Sequence, residues 1–112
     1  MGTVHPFPGS KPSQVGFERA ELSRIVDLYG RLVAAGLWKD YAIQFGKEAA
    51  SFWAFRRAAE QPEVRIEKRP ALRGRQGMWA LIGENGAGLK RGHELGPVRA
   101  PIERRLLKVV NE

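Results

Sequence analysis

The apolar positions of the N-terminal third follow a helical period. They recur at spacings of three and four residues: Leu22, Ile25, Val26, Tyr29, Leu32 and Val33. This spacing places them on one face of an amphipathic helix, and it predicts a helix over Arg19–Ala35. Gly36 follows at the position where a glycine in left-handed conformation commonly ends a helix.

From Tyr41 onward the apolar residues alternate with a period of two, which is typical of β-strands. The predicted strands are Tyr41–Phe45, Ala50–Phe55, Val64–Lys68, Met78–Ile82 and Gly88–Arg91. The second and fourth are apolar on both faces, as expected of central strands. Asn85-Gly86 between the last two predicts a two-residue type I′ hairpin turn.

The C-terminal segment predicts a short helix that begins near Pro101, since proline is tolerated in the first turn of a helix. Its apolar stripe is Ile102, Leu106, Val109 and Val110. The predicted fold class is therefore α+β: an N-terminal helix, an antiparallel meander of four to five strands and a short C-terminal helix. Residues 1–16, rich in proline and glycine, are expected to form a disordered tail, so the single domain spans 17–112.

Cysteine is absent from the 112 residues, which excludes disulfides, thiolate catalysis and thiolate metal sites. No apolar run approaches the roughly 18 residues of a transmembrane helix, so no membrane partner is expected. The N-terminus lacks the basic start and apolar stretch of a secretory signal. These observations favour a cytoplasmic protein.

Charge is the largest departure from average composition, with a formal net charge of +7 and a pI near 10.4. The excess of basic residues lies in the C-terminal two-thirds of the chain, where it indicates candidates for binding a polyanion such as nucleic acid. The candidates are Arg65, Lys68, Arg69, Arg73, Arg75, Lys90 and Arg91. An acidic protein partner and a purely solubilising surface are the alternatives.

Two helices are too few to cover both faces of a sheet whose central strands are apolar on both sides. This shortage predicts an uncovered face and a homodimer across it. Trp53 and Trp79 are the interface candidates, with burial of both rings in the core as the alternative. We expect a protein-interaction module first, and polyanion binding through the Arg65–Arg75 and Lys90–Arg91 surface second.

The motifs that would indicate catalysis or cofactor binding are incomplete. Leu89 stands where a phosphate-binding loop over Gly83–Lys90 requires lysine. His93-Glu94 opens a zinc-protease motif, but Pro97 occupies the position of its second histidine. We therefore expect no enzyme activity, no cofactor and no metal.

Several blocks of the chain resemble a small alphaproteobacterial domain family of unknown function. The blocks are Leu28-Tyr29-Gly30-Arg31-Leu32-Val33-Ala34-Ala35-Gly36-Leu37-Trp38-Lys39-Asp40-Tyr41-Ala42-Ile43, Arg65-Ile66-Glu67-Lys68-Arg69-Pro70 and Leu89-Lys90-Arg91-Gly92-His93-Glu94-Leu95. The resemblance spans about Phe17 to Val110 and implies a single-domain bacterial protein of the cytoplasm. It carries over no activity, cofactor or site residue.

Overall fold

The structure is a computed structural model that describes residues 14–57 and 61–110, with side chains as far as 108. Its elements are the helix α1 (Arg19–Ala34), the strands β1 (Asp40–Phe45), β2 (Ala50–Phe55), β3 (Val64–Lys68), β4 (Trp79–Gly83) and β5 (Gly88–Gly92), and the helix α2 (Leu95–Val110). The predicted α+β class and element order are confirmed.

The five strands form one antiparallel sheet in the order β1-β2-β3-β4-β5. Residues directly opposite each other on neighbouring strands point to the same side of the sheet. One such row runs Ile43, Phe52, Ile66, Leu81, Lys90, and the next runs Ala42, Trp53, Arg65, Ile82. The register therefore assigns every strand residue to one of two faces.

Both helices pack on the face that carries Phe52, Ile66 and Leu81, which we call the covered face. The core on that side joins sheet residues to the buried helix residues Ile25, Leu28, Leu32, Leu95, Val98, Ile102 and Leu106. Complete burial of each such side chain stabilises the fold by about 1.5–3 kcal/mol. No helix or strand of the described residues lies over the other side, which we call the open face.

α1 begins and ends as its sequence indicates. The Glu21 carboxylate accepts a hydrogen bond from the backbone N–H of Glu18 at 2.8 Å, as part of a capping box. Gly36 follows the helix with a φ of +81°, as predicted. The predicted apolar stripe is wrong at three positions, however. Its members Val26 and Val33 are exposed, and Leu28, which it omitted, is buried.

α2 is longer than predicted and begins at Leu95, so Pro101 lies inside it instead of at its start. The interior proline removes one backbone hydrogen bond. Burial of Leu95 and Val98, one turn before the predicted start, offsets that loss. The predicted stripe residues 109 and 110 lie beyond the described side chains.

The β4–β5 loop differs from the predicted two-residue turn. Hydrogen bonds from Gly86 N to Gly83 O (3.0 Å) and from Gly83 N to Ala87 O (2.8 Å) enclose three residues. The three residues are Glu84, Asn85 and Gly86, and the last of them has a positive φ of +84°. This pattern is that of a three-residue loop ending in a left-handed glycine, because a type I′ turn would close directly around Asn85 and Gly86.

The β3–β4 connection is pinned against β5 through two glycines. Gly77 has a φ of +100°, and a Cβ atom built on it would lie 2.5 Å from the carbonyl carbon of Gly92. Its N–H also donates to Leu72 O at 2.9 Å. The backbone between β3 and β4 is thereby held close to the edge strand.

The tail predicted over residues 1–16 lies outside the described residues as far as residue 13. Gln14 and Val15 are described, and both are bonded to the end of β1. Gln14 Nε2 donates to Phe45 O at 3.2 Å, and Val15 N donates to Gly46 O at 2.7 Å.

Candidate functional site

The open face carries apolar, aromatic and charged side chains on five adjacent strands. By register its members are Asp40, Ala42, Gln44, Ser51, Trp53, Phe55, Arg65, Glu67, Ala80, Ile82 and Arg91. Ala80 and Ile82 in its middle are buried although they lie outside the main core cluster. The predicted uncovered face therefore exists in the described part of the chain, with an apolar centre.

Trp53 and Arg65 lie opposite each other near the middle of this face. The guanidinium carbon of Arg65 lies 5.5 Å from the centre of the Trp53 ring, within the range of a cation–π contact. Trp53 Nε1 donates to Ser51 Oγ at 2.7 Å, which fixes the ring along β2. Arg65 Nε is buried and has no hydrogen-bond partner in the structure as described.

The pair lies between two shallow hollows in the open face. One, of about 530 Å³, extends from Trp53 and Arg65 towards the β1–β2 loop at Gly46 and Ala49. The other, of about 260 Å³, extends towards Pro62. Trp53 and Arg65 thus line both hollows.

The open face has charges of both signs. Glu67 pairs with Arg69 at 3.4 Å, and Arg69 also reaches Glu48 at 3.2 Å. At the opposite edge, Arg91 Nη1 donates to Gly77 O at 3.0 Å. Two of the predicted polyanion candidates on this side, Arg65 and Arg69, are therefore already engaged by a ring or by carboxylates.

Lys68 is on the covered face and is 6% exposed, although it was among the polyanion candidates. Its Nζ donates to Glu21 Oε1 at 2.7 Å and to Gly16 O at 3.2 Å. The ammonium also lies 5.8 Å from the Trp79 ring centre. Burial with a partner removes Lys68 from any surface that binds a polyanion.

Trp79, one of the two interface candidates, also lies on the covered face and is 2% exposed. Its ring stacks on Phe17 with a centroid distance of 6.2 Å. The alternative interpretation, burial in the core, thus holds for Trp79. Trp53 lies on the open face and is half-buried, so the structure separates the two candidates.

The remaining candidates lie in the β3–β4 connection and on the edge strand β5, where the register places Lys90 on the covered face and Arg91 on the open face. We call Arg73, Arg75, Lys90 and Arg91 the basic cluster. All four are exposed, and none has an ion pair with a carboxylate of the described residues. Arg73 Nη2 lies 3.8 Å from Met78 Sδ, beside the Gly77 carbonyl that Arg91 contacts.

Residues 14–57 and 61–108 contain no group of three or more His, Cys, Asp or Glu side chains that could hold a metal ion. His93 is exposed, at the end of β5. No helix within the described ranges is long and apolar enough to cross a membrane.

One polar network was not anticipated from the sequence. Trp38 Nε1 donates to Glu63 Oε1 at 2.7 Å, and the other oxygen of the same carboxylate pairs with Arg105 Nη1. These residues come from three distant parts of the chain, so no spacing rule could have linked them. The network joins the segment before β1, the start of β3 and α2.

The fold and its surfaces define a small α+β protein with a helix-covered antiparallel meander and one open sheet face. Residues 15–98 match the family described as "Protein of unknown function (DUF2794)", and the chain belongs to that family. The match includes the whole sheet and ends within the first turn of α2. No curated protein matches the chain, and no solved structure matches it.

Proposed function

We propose that this protein is a non-enzymatic interaction module of the cytoplasm that pairs with a second copy of itself through the open face. The observation that carries the proposal is the half-buried Trp53–Arg65 pair, which lies in register with Ile82 of the apolar centre formed by Ala80 and Ile82. The terminal N–H groups of Arg65 make no hydrogen bond within the described residues and are available to a partner, whereas its Nε is buried.

The mixture of charges favours a second copy over a nucleic acid. In a two-fold interface the same patch meets itself, so it must be self-complementary. The open face satisfies this condition because Arg65 and Arg91 share it with Asp40 and Glu67. A nucleic acid is uniformly anionic, and the two carboxylates would oppose its approach.

The size of the face limits the affinity that a dimer across it can reach. Five strands spaced about 4.8 Å apart, each contributing about five residues, give a flat area of roughly 350 Å². A standard interface buries about 800 Å² per partner. Because area alone does not fix affinity, we expect only that the dimer is weak, with a Kd on the order of 10 µM or weaker.

Sedimentation velocity from about 1 to 300 µM tests the proposal, with the mass expected to rise from monomer to dimer across this range. Trp53→Ala and Arg65→Glu should each weaken dimerisation by at least about tenfold. Lys108→Glu, an equal charge change on α2, is the control and should leave it unaltered. A monomer throughout the range, or a dimer that Arg65→Glu does not affect, would refute the proposal.

A polyanion is the second candidate partner, and the basic cluster is what favours it. Its four cations lack carboxylate partners within the described chain, unlike Lys68 and Arg69. Two of them, Arg73 and Arg91, contact the backbone or side chain at Gly77 and Met78, where the close approach of Gly77 to Gly92 fixes the main chain. Such a group is suited to phosphates, which guanidinium groups bind with paired N–H donors.

Fluorescence anisotropy with single-stranded DNA, single-stranded RNA and duplex DNA at low salt tests this second candidate. Binding through up to four cations predicts a slope of log K against log salt of about −0.7 per phosphate for single strands. The double variant Arg73→Gln/Arg75→Gln should flatten the slope, while Arg65→Gln should not. Affinity weaker than about 100 µM for all three probes would exclude this candidate.

A further inference from the structure

A separate hollow of about 340 Å³ lies on the helix side, between the end of the sheet and α2. Its walls are mainly apolar: Trp38, Leu81, Leu89 and Ile102. Leu89 is 55% exposed at the rim, whereas Leu81 and Ile102 are buried at the back. The volume falls within the range of about 300–1,000 Å³ that is usual for small-molecule sites.

The polar end of this hollow is formed by the Glu63–Arg105 ion pair. Both oxygens of Glu63 are engaged, one by the Trp38 indole and the other by Arg105. Arg105 uses only Nη1 for this bond, and no described residue takes its other donors. A guanidinium has five N–H donors, so Arg105 has donors left over at this end of the hollow. A ligand that binds them must supply a hydrogen-bond acceptor.

We propose that this hollow binds a small monocarboxylate with an apolar body. The body would lie against Leu81, Leu89 and Ile102, and the carboxylate would accept from the free N–H groups of Arg105. A planar guanidinium can serve two carboxylates at once, so Glu63 keeps its bond while the ligand binds. The body of the site lies on the covered side of the sheet, and it shares Gly83 and Glu84 with the smaller open-face hollow.

Glu84 is the other acidic side chain at this hollow. It is exposed and lies 3.6 Å from Arg56, which balances its charge. An amine ligand would therefore find both carboxylates already paired. Arg105 is paired with Glu63 as well, so what distinguishes ligands is its unused N–H donors, which favour an acceptor such as a carboxylate over an ammonium.

Three probes with the same body and different heads test the proposal: hexanoate, hexanol and hexylamine. Backbone amide shifts of Leu81, Leu89 and Ile102 in ¹H–¹⁵N spectra report binding. We expect a Kd of about 1 mM for hexanoate and binding at least about tenfold weaker for the other two. Equal binding of hexanol and hexanoate, or no shifts with any probe at about 10 mM, would overturn the proposal.

The same chemistry occurs at the C-terminal residue of a peptide, so N-acetyl-leucine is a fourth probe. Binding tighter than that of hexanoate assigns the site to peptide C-termini, and weaker binding assigns it to free acids.

Two variants locate the binding, each with its own expected loss. Arg105→Gln should weaken hexanoate binding by at least about tenfold without changing hexanol binding. Its control, Arg104→Gln on the exposed side of α2, should change neither. Leu89→Asp at the exposed rim should weaken hexanoate binding by a similar factor, and it keeps the test valid if Arg105→Gln unfolds. Unaltered hexanoate binding in Leu89→Asp would refute the site.

Discussion

The two faces of the sheet carry similar pairs of residues in different environments, one buried and one facing solvent. On the covered face a tryptophan, Trp79, and a lysine, Lys68, lie beneath the helices with almost no exposure. On the open face a tryptophan, Trp53, and an arginine, Arg65, lie opposite each other with solvent on one side. Each face thus contains a cation beside an indole ring, but only one pair is buried.

The difference shows what each pair can contribute. Lys68 meets Glu21 at 2.7 Å with both side chains largely buried, so its charge is fully compensated within the fold. Arg65 contacts the Trp53 ring but pairs with no carboxylate among the described residues. The covered pair therefore stabilises the fold, whereas Arg65 of the open pair retains unused terminal N–H groups that a partner can bind.

Replacing each of the two tryptophans should show the largest difference in stability between the faces. Trp79→Ala removes a ring that is 2% exposed and should lower the free energy of unfolding by about 3–5 kcal/mol. Trp53→Ala loses one cation–π contact and one hydrogen bond, so we expect a loss of about 1–2 kcal/mol. Urea unfolding at about 1 µM, where the expected dimer is dissociated, measures both.

Trp79→Phe is the control for these two variants. It retains most of the apolar contact on the covered face and should cost less than Trp79→Ala. A loss for Trp53→Ala as large as that for Trp79→Ala would mean that the open face is covered in solution, and the comparison between faces would fail.

The carboxylate partners of the two faces provide a second, smaller contrast. Glu21→Ala strips the buried Lys68 of its counter-charge, which should cost about 3 kcal/mol. Glu67→Ala removes one of the two carboxylates that contact Arg69. Because Arg69 is partly exposed and keeps Glu48, the expected cost is about 1 kcal/mol or less.

The double variant Lys68→Met/Glu21→Gln removes both charges while retaining shape and the acceptor that caps α1. It should be within about 1 kcal/mol of the native protein, because a buried ion pair gains little over an apolar replacement. Denaturation measured at two salt concentrations would complete the comparison. A double variant as unstable as Glu21→Ala would show that the cost arises from packing or capping and not from an unpaired charge.

Most of the fold could be predicted because the apolar period changes at clear points along the chain. The alternation in β3 places Val64 and Ile66 inside and Arg65 outside, as the structure has them. The same alternation also places Lys68 inside, and that signal was available when Lys68 was counted as a surface cation. The start of α2 was missed because Pro97 and Pro101 indicated a loop, whereas burial of Leu95 and Val98 extends the helix.

The site was less predictable than the fold. β2 and β4 are apolar on both faces, so composition alone gave no reason to separate Trp53 from Trp79. The register decides it, since Trp53 lies opposite Arg65 and Trp79 lies opposite Lys68. The Trp38–Glu63–Arg105 network depends on contacts between distant segments, and only the assembled fold brings them together.

The smallest expected effect concerns the β1 edge, where the covered face meets solvent. Tyr29 on α1 packs there against Tyr41 and Phe52, with ring centroids 5.2 and 5.8 Å away. Burial raises the pKa of the Tyr29 phenol above its ordinary value of 10.0, and the charges of Asp40 and Tyr41 raise it further. Folding therefore favours the protonated phenol.

Because the folded pKa of Tyr29 exceeds the unfolded value, its contribution to stability is complete below pH 10 or so and is lost as the pH rises through the folded pKa. Urea midpoints between pH 8 and 11 should fall less steeply in Tyr29→Phe than in the native protein. Asp40→Asn should lower the phenol pKa only in part, since burial is the larger cause, and absorbance at 295 nm follows that titration. An Asp40→Asn shift that accounts for the entire elevation would place Tyr29 in solvent, and the helix layer would then end before β1.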